Sequence, residues 1–281
     1  MPADPLPLPS RMKTLLICHA DAPLDREGLA LWLASFSDLV GVIVLHEDRS
    51  KLVARSKREI KRVGLLRFLD VVAFRVYYKL VLARKDARVE RELLETLRAR
   101  YPALPAGLPV LHTPSPNSSE AEQFIKENQP DVMIARCKVI LRERIFTIPR
   151  RGTFVMHPGI CPEYRNAHGC FWALAQGDVE RVGMTLLQID KGVDTGPIYG
   201  FFSYQYDERR ESHIVIQART VLDNLDEIMG TLEAIVDGRA TRIDTTGRRS
   251  ATWGQPWLSR YLRWKVAARR RRHARHRVAV P

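Results

Sequence analysis

The chain has 281 residues and a formal charge of +13, long enough for one large α/β domain with a sizeable core. Its apolar content of 45% is that of a soluble globular protein. Cys18, Cys137, Cys161 and Cys170 are scattered without a CxxC pair, which indicates neither a disulfide framework nor a zinc knuckle and reads as free thiols in a reducing compartment.

The opening MPADPLPLPS is proline-rich and lacks a basic segment followed by an apolar core. Residues 1–11 are therefore expected to be a disordered leader, not a signal peptide. From Met12, MKTLLICHADA reads as a buried strand, a helix follows over 26–35, and VGVIVLHED over 40–48 is a second strand. Strand, helix and strand at this spacing form a βαβ unit with a parallel sheet.

Residues 49–101 break the rhythm. They carry 16 basic and 6 acidic residues and no proline, and read as an inserted basic helical pair. Arg67, Asp70, Arg75 and Lys79 occupy about half of a helical wheel and leave an apolar half. The insertion is a lid or binding surface, or an amphipathic cover on the sheet. Each of these charges costs roughly 2.5–3.5 kcal/mol at a bilayer centre, so 65–83 is not a spanning helix. The expected location is cytoplasmic, with peripheral membrane contact as an option.

Alternation then resumes. Strands are expected at 109–112, in PDVMIAR, in GTFVMHPG, in GMTLLQID and in TGPIYGFF, with helices at 118–128, in RERIF, at 170–176 and, as one long amphipathic helix, at 211–236. Residues 12–240 make one α/β domain with a mostly parallel, Rossmann-like sheet flanked by helices. Residues 241–281 form a basic aromatic tail, with 11 basic and no acidic residues after Asp244. Trp257, Tyr261 and Trp264 align on one face of a helix there. Such a face suits a membrane surface, RNA or an acidic partner, or else docks on the chain's own core while the arginines stay solvated.

His157 and Asp194 sit at or just beyond the carboxyl ends of predicted strands, where open parallel sheets gather their ligand sites. A histidine oriented by a carboxylate serves as general acid or base near neutral pH. No GxGxxG follows the first strand, which disfavours a dinucleotide enzyme.

The surrounding words, HPGICPEYRNAHGCFWAL, a Gly-Asp pair at 177–178 and GMTLLQIDKGVDTGPI, form an ordered set. It resembles the formyltransferases that use 10-formyltetrahydrofolate, which act on methionyl-tRNA, glycinamide ribonucleotide or amino sugars. The resemblance is strongest over 130–200. It implies a formyltransferase fold and transfer of a formyl group to an amine, with no metal. His157 matches the family's catalytic histidine and Asp194 the aspartate that orients it. Folate would lie along 134–138 and 188–194, held largely by backbone, with Ile134, Arg136, Cys137, Gln188, Asp190, Gly192 and Val193 as the binding residues. The family's asparagine two residues before the histidine is Val155 here, which has no donor for a formyl oxygen. Loss of such a donor costs on the order of 10²–10³ in rate. Lys138 or Asn166 is the expected substitute. The alternatives are hydrolysis of the formyl-folate or a catalytically silent folate-binding scaffold. Two basic, aromatic appendages favour an anionic acceptor, small or carrier-linked.

Overall fold

A computed structural model describes residues 11–46 and 60–271. The proposed leader, apart from Arg11, and the first part of the insertion lie outside them. The strands are β1 (Lys13–His19), β2 (Asp38–Leu45), β3 (Val110–Thr113), β4 (Val132–Arg136), β5 (Gly152–His157), β7 (Met184–Gln188) and β8 (Ile198–Phe202), joined in the order β3-β2-β1-β4-β5-β7-β8. The pairs from β3 to β5 are parallel, and β5–β7 and β7–β8 are antiparallel. The sheet is thus mostly parallel, as its sequence pattern predicts.

The central strands are apolar at consecutive positions because both faces are covered. Leu16, Cys18, Ile134, Phe154 and Met156 face one side and pack with Trp32 and Ile228, whereas Leu15, Ile17, Met133 and Ala135 face the other and pack with Ile125 and Ile145. Trp32 belongs to α1 (Ala30–Phe36), entered through a π-helical turn at Leu24–Leu29. Between β2 and β3, α2 (Leu65–Tyr77), a π turn (Tyr78–Leu82) and α3 (Ala83–Arg100) form one unbroken helical run. Residues 65–100 of the expected insertion are thus a single rod on the order of 50 Å long, uninterrupted because no glycine or proline lies within it; a short helical segment over 60–63 precedes it across Gly64. Its second half packs on the core through Leu97, and its first half is overlaid by the tail helix.

Ser118 caps α4 (Ser119–Asn128) by accepting from the Ala121 N–H at 3.1 Å. The short α5 (Glu143–Phe146) precedes β5. Beyond β5 come a two-residue strand, β6 (Arg165–Asn166), and α6 (Gly169–Gln176). The expected helix over 211–236 is two helices, α7 (His213–Leu222) and α8 (Leu225–Val236). Asn224 separates them: its backbone leaves helical geometry at φ −121, ψ 18, and its side-chain amide donates to the Thr220 carbonyl at 2.9 Å, the local competition that disfavours asparagine inside helices.

The tail contributes β9 (Thr252–Trp253) and α9 (Leu258–Arg270). Its aromatic face turns inward. Tyr261 and Trp264 are 3% and 1% exposed and join Phe74, Phe171 and Trp172 in a separate aromatic layer between α2, α6 and α9.

Candidate functional site

The carboxyl ends of β1, β4 and β5 share one edge of the sheet, near the point where chain order reverses between β1 and β4. His157 ends β5 there and is buried. Its Nε2 lies 2.7 Å from the Tyr164 carbonyl oxygen, so that nitrogen carries a proton and donates. Its Nδ1 faces Asp194 Oδ2 at 3.4 Å, an ion-pair distance longer than a hydrogen bond. Both ring nitrogens thus meet an acceptor when both are protonated. Asp194 Oδ2 also accepts the backbone N–H of Asn166 at 2.7 Å. The carboxylate is the more exposed member of the couple, at 14% against 4% for the imidazole side chain.

Two glycines allow this arrangement. A Cβ on Gly169 would lie 2.4 Å from the Gly159 Cα, and one on Gly159 would lie 2.6 Å from the Tyr164 carbonyl. Only hydrogens let the 158–169 loop fold back on itself and present that carbonyl to His157. The loop is pinned by Thr185, whose hydroxyl donates to the Gly159 carbonyl at 2.7 Å and accepts the Cys161 N–H at 3.0 Å. Arg165 donates to the Val193 carbonyl at 3.1 Å, tying this loop to the one that carries Asp194.

Among the other expected residues, Asn166 adopts a positive φ of 76 and donates its side-chain amide to the Trp253 carbonyl. Lys138 is exposed, and its backbone N–H donates to His19 Nε2 at 3.1 Å. Its ammonium lies close enough to His168 to disfavour a proton there. Val155 shares the β5 face of His157 and packs with Leu187 and Ile198. Arg136 is engaged within the chain, through Asp25 at 2.9 Å and the Met156 carbonyl at 2.6 Å. Ile134 is wholly buried and paired on both sides within the sheet. Asp190 accepts from the Gly192 N–H at 2.9 Å and the Thr195 hydroxyl at 2.8 Å. Gln188 accepts from the Tyr199 hydroxyl at 3.4 Å. Cys137 and Ile189 pack in one apolar cluster, and Lys191 pairs with Glu143 at 3.0 Å, so the 137–143 and 188–196 loops adjoin.

Sequence reasoning missed three groups. The Tyr164 carbonyl is main chain and leaves no signature. Glu163 is gripped by both nitrogens of the Arg248 fork, at 2.9 and 2.7 Å, and β9 pairs with β6, so the tail fastens the site loop from eighty residues away in sequence. His213 and Gln217 form a polar layer beside the loop with His168, which the sequence offers as a candidate donor next to Lys138 and Asn166; His213 is buried and the other two are half-buried. Desolvation pushes the His168 imidazole down to about 4, with Lys138 and Arg75 adding to the effect, and holds His213 well below its ordinary value. The signal available for this layer was the polar spacing of His213 and Gln217 on one face of α7.

Residues 76–227 match the formyl transferase family model. The chain belongs to the formyl transferase family. Methionyl-tRNA formyltransferase of Chlorobium limicola is 34% identical over 112 residues, 40% of this chain and 35% of that protein. That of Marinobacter nauticus is 40% identical over 95 residues, 34% of this chain and 30% of that protein. The chain thus spans about a third of the length of these curated relatives. Glycinamide ribonucleotide transformylase 1 from Symbiobacterium toebii superposes with a TM-score of 0.53 at 14% identity, covering 88% of this chain and 97% of that one. A sugar N-formyltransferase from Shewanella sp FDAARGOS_354 gives 0.51 at 13% identity, covering 86% and 76%. These structures share the formyltransferase fold with this chain. Among the described residues no cluster of side chains suited to hold a metal ion occurs.

Proposed function

We propose that the protein transfers a formyl group from 10-formyltetrahydrofolate to the amine of an anionic acceptor, small or carrier-linked. The observation that carries this reading is the buried His157, set between the Tyr164 carbonyl and the Asp194 carboxylate at the sheet edge, in a chain of this family.

The residues of the expected cofactor wall fit a neutral heteroaromatic ring. Arg136 and Asp190 are consumed by internal bonds, so the two adjoining loops offer main-chain groups around an apolar patch of Cys137 and Ile189. The bound donor supplies a carbonyl carbon open to attack by the amine. Asp194, at the exposed side of the couple, accepts the proton released as the amine nitrogen bonds that carbon. His157 shares this proton through Nδ1, while its Nε2–H stays fixed on Tyr164. The same couple returns the proton to the departing folate nitrogen as its bond to carbon breaks. Lys138 is the side chain available to face the developing oxyanion, since the Asn166 amide is bound to Trp253. The Asp194 carboxylate is preorganised for this transfer by the Asn166 N–H at 2.7 Å.

The test is tetrahydrofolate formation from 10-formyltetrahydrofolate across nucleotide-linked, carrier-linked and lipid-linked amines, with wild type and His157→Gln. Acceptor-dependent release that collapses in the variant is expected. Formate release without acceptor identifies a hydrolase instead, and binding without formyl loss identifies a silent folate-binding protein.

A further inference from the structure

The rod between β2 and β3 is amphipathic in an unusual sense. Its inward face is carried by Val71 and Phe74, both buried. The opposite face carries Leu65, Leu69, Val72, Val76 and Leu80, spaced by four, three, four and four residues, with Leu66 and Val81 beside them. All seven are 37–84% exposed. The apolar half left by the charged positions therefore points to solvent. Isolated exposed leucines are ordinary, but a continuous stripe at helical period marks a contact surface.

The stripe does not end with α2. Asp70 accepts from both the backbone N–H and the hydroxyl of Ser259 on α9. Ser259, Leu262 and Val266 share one face of α9 at i, i+3 and i+7, so Leu262 and Val266 border α2. They are 46% and 47% exposed.

Charge identifies the occupant. Arg75 and Lys79 flank the stripe on α2 and its π turn, Arg263, Arg269 and Arg270 stand exposed on α9, and the acid Asp70 is already bound. Arg67 is no part of this rim, because it lies over the Trp257 ring at 5.3 Å. Lys265 is no part of this rim, because it donates inward to the carbonyls of Glu208 and Glu211. A second copy of the chain seated on this face would bring cation against cation. RNA readers present aromatic rings for stacking, whereas the aromatics here, Tyr261 and Trp264, are buried.

We propose that α2, its π turn and α9 form a docking face for an anionic lipid bilayer, with the leucine and valine stripe entering the headgroup boundary and the arginines meeting lipid phosphates. No helix among the described residues is long and apolar enough to cross a membrane, so the contact is parallel to the surface. The inward side of α2 lays Phe74 against His213, with ring centroids 5.4 Å apart. The bilayer would then lie about one helix diameter, roughly 10 Å, from the histidine layer beside the site. This inference stands apart from the chemistry proposed above, since vesicle binding requires no turnover.

The experiment is flotation of the full chain with vesicles of phosphatidylcholine alone or mixed with phosphatidylglycerol. The wild type is compared with a Leu66→Glu, Leu69→Glu, Leu80→Glu triple variant and with a single Leu66→Glu variant. All three positions are solvent-exposed, so unchanged circular dichroism is expected. Binding to the anionic vesicles alone is expected, weakened about tenfold or more in the triple variant. It should also weaken in about 1 M salt, where the Debye length is about 3 Å. No partition of wild type onto anionic vesicles overturns the proposal, as does equal partition of the variants. A wild-type dimer that the substitutions turn into a monomer assigns the face to a second copy and overturns it equally.

Discussion

Acid should loosen this fold through His168 and His213. The two rings lie 5.9 Å apart between α6 and α7. His213 is enclosed by Phe74 and Phe171 at 5.4 and 5.3 Å, and the Nδ1 atoms of both histidines are buried without a hydrogen-bond partner. An imidazole pressed from 6.5 down to about 4 in the fold takes its proton first in the unfolded chain. The stability it contributes is complete above pH 6.5 and is lost as pH falls from there towards about 4. For His168 the loss is about 1 kcal/mol at pH 5.5 and approaches about 3 kcal/mol near pH 4, at roughly 1.4 kcal/mol per pH unit. His213, lowered by its own burial and by His168 and Lys265, adds to the loss with the same sign. Urea unfolding at pH 7.5 and 5.5 measures it. Wild type should lose more between the two than His168→Gln, by about 1 kcal/mol. His213→Phe, which removes the other desolvated imidazole, should be less acid-sensitive than wild type by a similar amount. Identical pH dependence in all three chains would refute the assignment of neutral, desolvated imidazoles here.

Three further outcomes are expected. Asp194→Asn keeps an acceptor for the Asn166 N–H but removes the charge facing His157. Turnover should fall by about 10²–10⁴ with little change in melting temperature; an unaltered rate removes Asp194 from the chemistry. Lys138→Met should slow tetrahydrofolate release by about 10²–10³, and adding Val155→Asn in the same chain should recover part of the loss, because position 155 shares the β5 face of His157. If Lys138→Met is silent, another group stabilises the oxyanion. Burial pushes the thiols of Cys18 and Cys170 to about 12 and Cys137 to about 11, and raises Cys161 as well. A thiol reagent at pH 8 should therefore modify native protein at least about 100-fold more slowly than protein in urea. Rapid labelling of even one native cysteine contradicts that burial.

Much of the fold is written in short-range pattern. KTLLICH, VMIAR and GTFVMH are apolar runs that only a strand covered on both sides buries, and Ser118 announces its helix through a cap whose chemistry is local. His157 likewise ends a strand-like run, whereas Asp194 lies in the polar loop after one. The break at Asn224 was less visible, because the apolar periodicity of 211–236 continues through it while one side-chain amide diverts the backbone.

Sequence alone thus determined the alternation of strands and helices, and it led to the expectation that His157 and Asp194 meet at one sheet edge, where the structure sets them 3.4 Å apart. Tertiary structure decided the rest. Helical periodicity says that α2 has an apolar face but not whether that face turns inward, and α9 settles it by contributing its own aromatics to the layer beneath. A main-chain carbonyl has no side-chain signature, so only the crossing of Gly159 and Gly169 puts Tyr164 onto His157. Contacts such as Arg248 to Glu163 join residues far apart along the chain, and no local propensity records which partner a folded neighbour will supply.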